Sequence, residues 1–221
     1  MDKREAIEML ELCGMSYCDV QPKIKNQDLT FINDKKTDVQ CFVRKEGNKL
    51  VIVFRGSDSR KDWTADFNFR KKAIPYDEMT DIKVHAGFLG TYKSPDVRGR
   101  IQSFVTDEIE KIQITGHSYG AALAVLCAVD LNYNFSEKDY DVLLFGCPRV
   151  GNEAFKKYYN KRLFKTLRFE NEYDLITKVP FSIFGYRHVG TKIKLGRRGL
   201  YKIFSMRYHK LQKYYSNIWK W

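Results

Sequence analysis

Hydrophobic positions along this chain change their period several times, and each change marks an element. Between residues 3 and 17, Ala6, Ile7, Leu10, Cys13 and Tyr17 recur at helical spacing among charged residues, which predicts an amphipathic opening helix. Residues 39–44 and 50–54 read as strands joined by a turn at Glu46-Gly47-Asn48. Leu50-Val51-Ile52-Val53-Phe54 is apolar without a break, as expected of a strand buried on both faces. The pattern then alternates. A strand at 111–115 is followed by a helix at 121–131 that is apolar nearly all round. A strand at 142–145, closed by Gly146 and Pro148, is followed by a helix at 152–161 and a strand at 163–169. This alternation predicts an α/β fold, a mostly parallel central sheet with helices on both faces. No repeat or low-complexity linker interrupts it, so residues 1–221 are expected to form a single domain. Sheets of this kind gather reactive groups just past the carboxyl ends of their strands.

One such place holds Gly116-His117-Ser118-Tyr119-Gly120. A G-x-S-x-G sequence alone is weak, since about one chain of this size in fifteen would contain it by chance at average residue usage. Its setting raises its weight. A predicted strand leads in and a predicted helix leads out, which is the elbow that exposes a nucleophilic serine on a sharp turn, with glycines where side chains would collide. A serine hydroxyl needs a base to take its proton. Of the four histidines, His85 precedes the serine and His117 adjoins it on the turn, which leaves His188 and His209. In the order serine, acid, histidine, the carboxylates from Asp130 to Asp174 are candidates. Asp174 stands out because it follows a predicted strand in a loop that ends at Pro180.

With these residues in view, the chain resembles the class 3 lipases, the fungal-lipase-like α/β hydrolases. Five blocks in the right order carry the resemblance: Val53-Phe54-Arg55-Gly56-Ser57 with Asp62-Trp63 and Asp66, His85-Ala86-Gly87-Phe88, the segment from Ile114 to Gly120, Phe145-Gly146-Cys147-Pro148-Arg149-Val150-Gly151-Asn152, and Asp174 to Pro180. The resemblance implies an α/β-hydrolase fold, with Ser118 as nucleophile, Asp174 as acid and His209 as base. It implies an oxyanion hole at Ser57, through its backbone N–H and hydroxyl, and at the backbone N–H of Tyr119. It matches His188 to a family histidine other than the base. Trp63, among charges, is the candidate for the apolar edge of a lid, with Phe67 and Phe69 as further aromatics of that segment. The chain departs from the family at Tyr119, usually leucine, at Ala121, often glycine, and at Cys147, commonly serine or alanine. It departs again at Lys192, glutamate in many members, and at Tyr208, usually aspartate.

Composition refines this picture. A hydrophobic content of 43% can fill a core, yet no apolar stretch approaches the ~20 residues of a membrane span. Glu5, Glu8 and Glu11 break up the first apolar positions, so no signal-peptide core is visible. A cytoplasmic protein, at most peripheral at membranes, is expected. Five scattered cysteines in apolar surroundings read as reduced core thiols. The net charge is +12, and after Asp174 the chain has eleven Lys or Arg and no Asp or Glu. That region suits contact with an anionic membrane. The aromatic, lysine-bearing tail from Tyr214 to Trp221 suits either a membrane interface or docking on the core. Nucleic acid is not expected, because no recognition motif accompanies the charge. The expected activity is hydrolysis of a lipid or small ester through an acyl-enzyme, with no metal and no cofactor. The alternative is a catalytically silent lipid-binding module on the same scaffold.

Overall fold

The computed structural model describes residues 2–18, 28–56, 69–76, 80–196 and 204–221. The opening helix α1 spans Lys3–Met15. The Asp2 side chain caps it by accepting from the Glu5 N–H at 2.9 Å, and Ala6, Ile7, Met9, Leu10, Leu12 and Cys13 form its buried stripe. It ends two residues short of the helical pattern, so Tyr17 leaves the helix axis.

Nine strands are described: β1 (Asp28–Asp34), β2 (Val39–Glu46), β3 (Lys49–Phe54), β4 (Lys71–Ala73), β5 (Lys83–His85), β6 (Lys111–His117), β7 (Asp139–Phe145), β8 (Thr166–Asn171) and β9 (Thr191–Leu195). Seven form one sheet in the order β1-β2-β3-β6-β7-β8-β9, and β4 and β5 pair separately. The β1–β2 and β2–β3 pairs are antiparallel, and every pair from β3 to β9 is parallel. The mostly parallel sheet expected from the alternating pattern is therefore present.

Side-chain alternation divides the strands between two cores. Leu50, Ile52 and Phe54 of β3, Ile112 and Ile114 of β6, and Val142 and Leu144 of β7 face one core. That core is shared with α2 (Ala86–Tyr92), α3 (Pro95–Ser103), α4 (Tyr119–Asn134) and α5 (Glu153–Arg162). Val51, Val53, Leu143 and Phe145 face the other core, with α1 and α6 (Leu211–Ile218). Helix α4 is buried continuously from Gly120 to Leu131, as its unbroken apolar sequence requires. The tail is settled on the core side: Tyr214 and Ile218 are fully buried, while Tyr215 and Trp219 face out.

Other boundaries differ from expectation too. β6 runs on to His117, because Gly116 still pairs with Phe54 of β3. β8 begins only at Thr166, because Leu163 closes α5 by donating its N–H to the Tyr159 carbonyl. All five cysteines are unpaired thiols; four are buried and Cys18 is exposed. Among the described residues, no helix is long and apolar enough to cross a membrane.

Candidate active site

Ser118 sits between the end of β6 and the start of α4. Its backbone has φ 60° and ψ −127°, a left-handed conformation that non-glycine residues rarely adopt and that persists only where the surroundings enforce it. They do so here. A Cβ on Gly116 would lie 2.5 Å from the Gly120 carbonyl, and one on Gly120 would lie 2.4 Å from the Phe54 carbonyl oxygen. Neither glycine can carry a side chain. The Ser118 N–H donates to the Phe145 carbonyl at 3.0 Å, which ties the turn to β7.

The Ser118 hydroxyl lies 2.7 Å from Nε2 of His209. On the far side of that ring, Nδ1 lies 2.9 Å and 3.1 Å from the two carboxylate oxygens of Asp174. A carboxylate can only accept, so Nδ1 carries the proton and Nε2 is left to accept from Ser118. Asp174 is fully buried in the loop after β8. Its oxygens also accept from the Ile176 N–H at 2.9 Å and from the Tyr214 hydroxyl at 2.5 Å. Burial and the Asp174 charge push Tyr214 well above the usual phenol range, so it remains a donor. Gly146, at the end of β7, makes room for the pair, since a Cβ there would lie 2.8 Å from the His209 ring.

A second histidine supports the first. The His117 ring stacks on that of His209, with centroids 4.6 Å apart. Its Nε2 lies 2.9 Å from the His209 carbonyl oxygen, so Nε2 carries the proton and Nδ1 accepts from the Tyr17 hydroxyl at 2.9 Å. His117, not expected to be the base because it adjoins Ser118, packs against the back of His209. Tyr17 was legible only as the last position of the opening helical pattern, and Tyr214 only as the first aromatic of the tail. No local motif announces a contact between segments so far apart in sequence.

His188 is not at the serine. Its Nε2 donates to the Thr177 carbonyl at 2.8 Å. Burial, reinforced by Arg168 and Arg149, holds its pKa well below the usual imidazole range and keeps it neutral. It is one of several groups that fasten the Asp174 loop. Arg149 donates to the carbonyls of Lys178 and Pro180. Beneath them, buried Glu170 pairs with Arg168 and Lys192, with Lys178 at 3.5 Å and His188 at 3.6 Å. Lys192, a departure from the family pattern, thus has a carboxylate partner. Burial, reinforced by the crowded cations, lowers Lys178 to about 8.

Tyr119 opens α4, where the first N–H groups have no intrahelical acceptor. Its side chain turns aside to donate to Thr91 at 2.8 Å and packs edge-on to Phe88. Ser57 and Trp63, the second oxyanion candidate and the lid candidate, lie outside the described residues, as does Phe67. Phe69 is described, and it stacks on Phe184 at 4.4 Å. Among the described residues, no group of three His, Cys, Asp or Glu could hold a metal ion.

The chain is similar to known proteins. The class 3 lipase family pattern matches residues 51–184, which includes Ser118 and Asp174 and stops before His209. A lipase of Rhizomucor miehei is 34% identical over 187 residues, covering 79% of this chain. The secreted mono- and diacylglycerol lipase 1 of Fusarium solani is 27% identical over 80% of this chain. The chain spans about half the length of these relatives, 49% and 53% respectively. Among solved structures, the Rhizomucor miehei triacylglyceride lipase superposes with a TM-score of 0.76 at 28% identity, covering 86% of this chain and 79% of that one. Another triacylglycerol lipase, described as having a serine protease triad as its catalytic centre, superposes with a TM-score of 0.71 at 29% identity. The fold is that of the α/β hydrolases, and the chain belongs to the class 3 lipase family.

Proposed function

We propose that this protein hydrolyses carboxylic esters of lipids through a serine-bound acyl intermediate. The observation that carries this reading is the unbroken series from the Ser118 hydroxyl through both nitrogens of His209 to the buried Asp174 carboxylate. As Ser118 Oγ attacks an ester carbonyl, His209 Nε2 takes its proton, and Asp174 stabilises the imidazolium that forms. The alkoxide leaving group then takes that proton from His209, leaving an acyl-serine. Water, deprotonated by the same nitrogen, releases the acid and restores Ser118. The developing oxyanion is assigned to the N–H of Tyr119 and to Ser57; loss of one such donor typically costs about 2.7–4 kcal/mol of transition-state stabilisation. Every proton moves between Ser118, His209, the leaving group and water, so the scheme calls for no cofactor.

The substrate class follows from the relatives, which are named as lipases, as a mono- and diacylglycerol lipase and, in Arabidopsis thaliana, as a phospholipase A(1). An acylglycerol or a phospholipid is the substrate proposed here. Contact with an anionic membrane through the basic region after Asp174 belongs to the same reading.

The test is hydrolysis of nitrophenyl esters of increasing acyl length by the parent and by Ser118→Ala, His209→Ala and His188→Ala. Both Ser118→Ala and His209→Ala should lower kcat by about a thousandfold or more, as expected of groups that act as a unit. His188→Ala should keep the mechanism and lose mainly stability. A parent inactive on every ester, with or without a lipid interface, would instead favour a silent binding module.

A further inference from the structure

Past Pro180 the acid-bearing loop rises into a single tight turn, Ser182–Phe184, closed by Gly185 in the left-handed conformation (φ 75°). Its apolar side chains point outward: Phe181 is 47% exposed, Ile183 84% and Phe184 43%. Phe204, 48% exposed, stands beside the same loop, since its neighbour Ser205 pairs with Asp174 and Lys178 lies 5.7 Å from its ring centroid. Large apolar side chains so exposed and so close together mark a contact surface.

The turn is firmly built. Phe184 and Gly185 donate their N–H groups to the carbonyls of Phe181 and Ser182. Arg187 donates to the Ser182 carbonyl at 2.9 Å, Lys71 to the Phe184 carbonyl at 2.6 Å, and Arg149 to the Pro180 carbonyl at 3.0 Å. These backbone groups therefore have partners within the protein, which suits a segment that enters an apolar phase. The side-chain partners are all cations. Lys71, Lys178 and Arg187 stand around the apolar side chains; the acids they meet are shared with other cations, Glu153 with Lys156 and buried Glu170 with Arg168 and Lys192.

We propose that this protrusion is a membrane anchor, in which Phe181, Ile183, Phe184 and Phe204 enter the interface of an anionic phospholipid bilayer while Lys71, Lys178 and Arg187 meet its head groups. The charge selects this occupant. An apolar tip ringed by cations matches a lipid surface that is apolar within and anionic at its face. The anchor sits on the loop that carries Asp174, so docking holds that loop at the bilayer. The inference rests on the lipid-ester reading, and it places the contact at this turn instead of at the aromatic tail.

The test compares the parent, the double variant Phe181→Ser with Ile183→Ser, and the tail variant Tyr215→Ser with Trp219→Ser. Each is sedimented with phosphatidylcholine vesicles, with and without phosphatidylglycerol, and assayed on a soluble short-chain nitrophenyl ester. All substituted side chains are exposed, so folding should survive. The expected result is that the parent prefers phosphatidylglycerol vesicles and releases them as salt rises. The turn variant should bind them roughly tenfold or more weakly, with its soluble-ester rate unchanged, and the tail variant should bind like the parent. Equal vesicle binding by the turn variant and the parent would overturn the anchor. So would a parent that self-associates through this turn, seen as a dimer that the turn variant abolishes, without binding vesicles. A parent that binds vesicles through the turn yet cleaves no ester would leave the anchor standing and defeat the hydrolase reading.

Discussion

A carboxylate with no exposure is expensive to keep ionised unless donors surround it, and Asp174 must stay ionised to hold the His209 tautomer. Three donors meet it: His209 Nδ1, the Ile176 N–H and the Tyr214 hydroxyl. Tyr214 lies outside the family's motif blocks, so its contribution can be measured on its own. Tyr214→Phe preserves the ring in its core and removes only the hydroxyl. A hydrogen bond to a charged group contributes about 1.5–3 kcal/mol. Felt at the imidazolium-forming step, that is roughly a tenfold to hundredfold lower kcat. KM should hardly move, because Tyr214 is buried away from any ester. Steady-state kinetics on a nitrophenyl ester, paired with a thermal melt, checks this. A kcat within about twofold of the parent would mean that the other two donors suffice.

Legibility in the sequence follows burial, element by element. β3, β7 and α4 were readable because the interior demands continuous apolar runs, and β6 because Ile112 and Ile114 alternate with polar residues just ahead of the glycine turn. β9 was not. It is an edge strand in which Lys192 and Lys194 alternate with Ile193 and Leu195, so half its pattern belongs to solvent. α2 and α3 carry Gly87, Gly90 and Gly99 and lack a sustained stripe; packing of Phe88, Leu89, Tyr92, Val97 and Ile101 specifies them instead. At the site, the elbow was legible from its own residues, whereas the choice between His188 and His209 needed the family resemblance. α2 also supplies a pH test, because its N-cap is His85, whose Nδ1 accepts from the Phe88 N–H at 3.4 Å. Only the neutral ring can accept there, and burial lowers His85 from 6.5 to about 4. A group depressed on folding contributes stability that is complete above its unfolded pKa and is lost as pH falls toward the folded one. The window is therefore pH 6.5 down to about 4. Asn caps helices without titrating, so His85→Asn should flatten the melting temperature against pH across that window. Parallel curves for parent and variant would place the acid sensitivity elsewhere.

At the scale of the whole molecule, the triad is assembled from three distant segments, the turn after β6, the loop after β8 and the stretch before α6. The two ends of the described chain meet beside it. Lys3 donates to the Trp219 carbonyl at 2.8 Å, Tyr215 donates to Glu11 at 3.1 Å, and Tyr17, just past α1, holds His117 against His209. α6 anchors itself through Tyr214 and Ile218, both fully buried in the core that α1 shares. No single region holds the nucleophile, base and acid together, so activity should report on the fold as a whole. Ile218→Ala opens a cavity in that core far from the ester, at a cost of about 2–5 kcal/mol. Urea unfolding followed by circular dichroism should show a lower midpoint with an unchanged slope. Activity at zero urea should stay at the parent's level per folded molecule, and its loss should coincide with the circular dichroism transition. Activity lost at lower urea than the helical signal would show instead that α6 and His209 peel away first, as a separate cooperative unit.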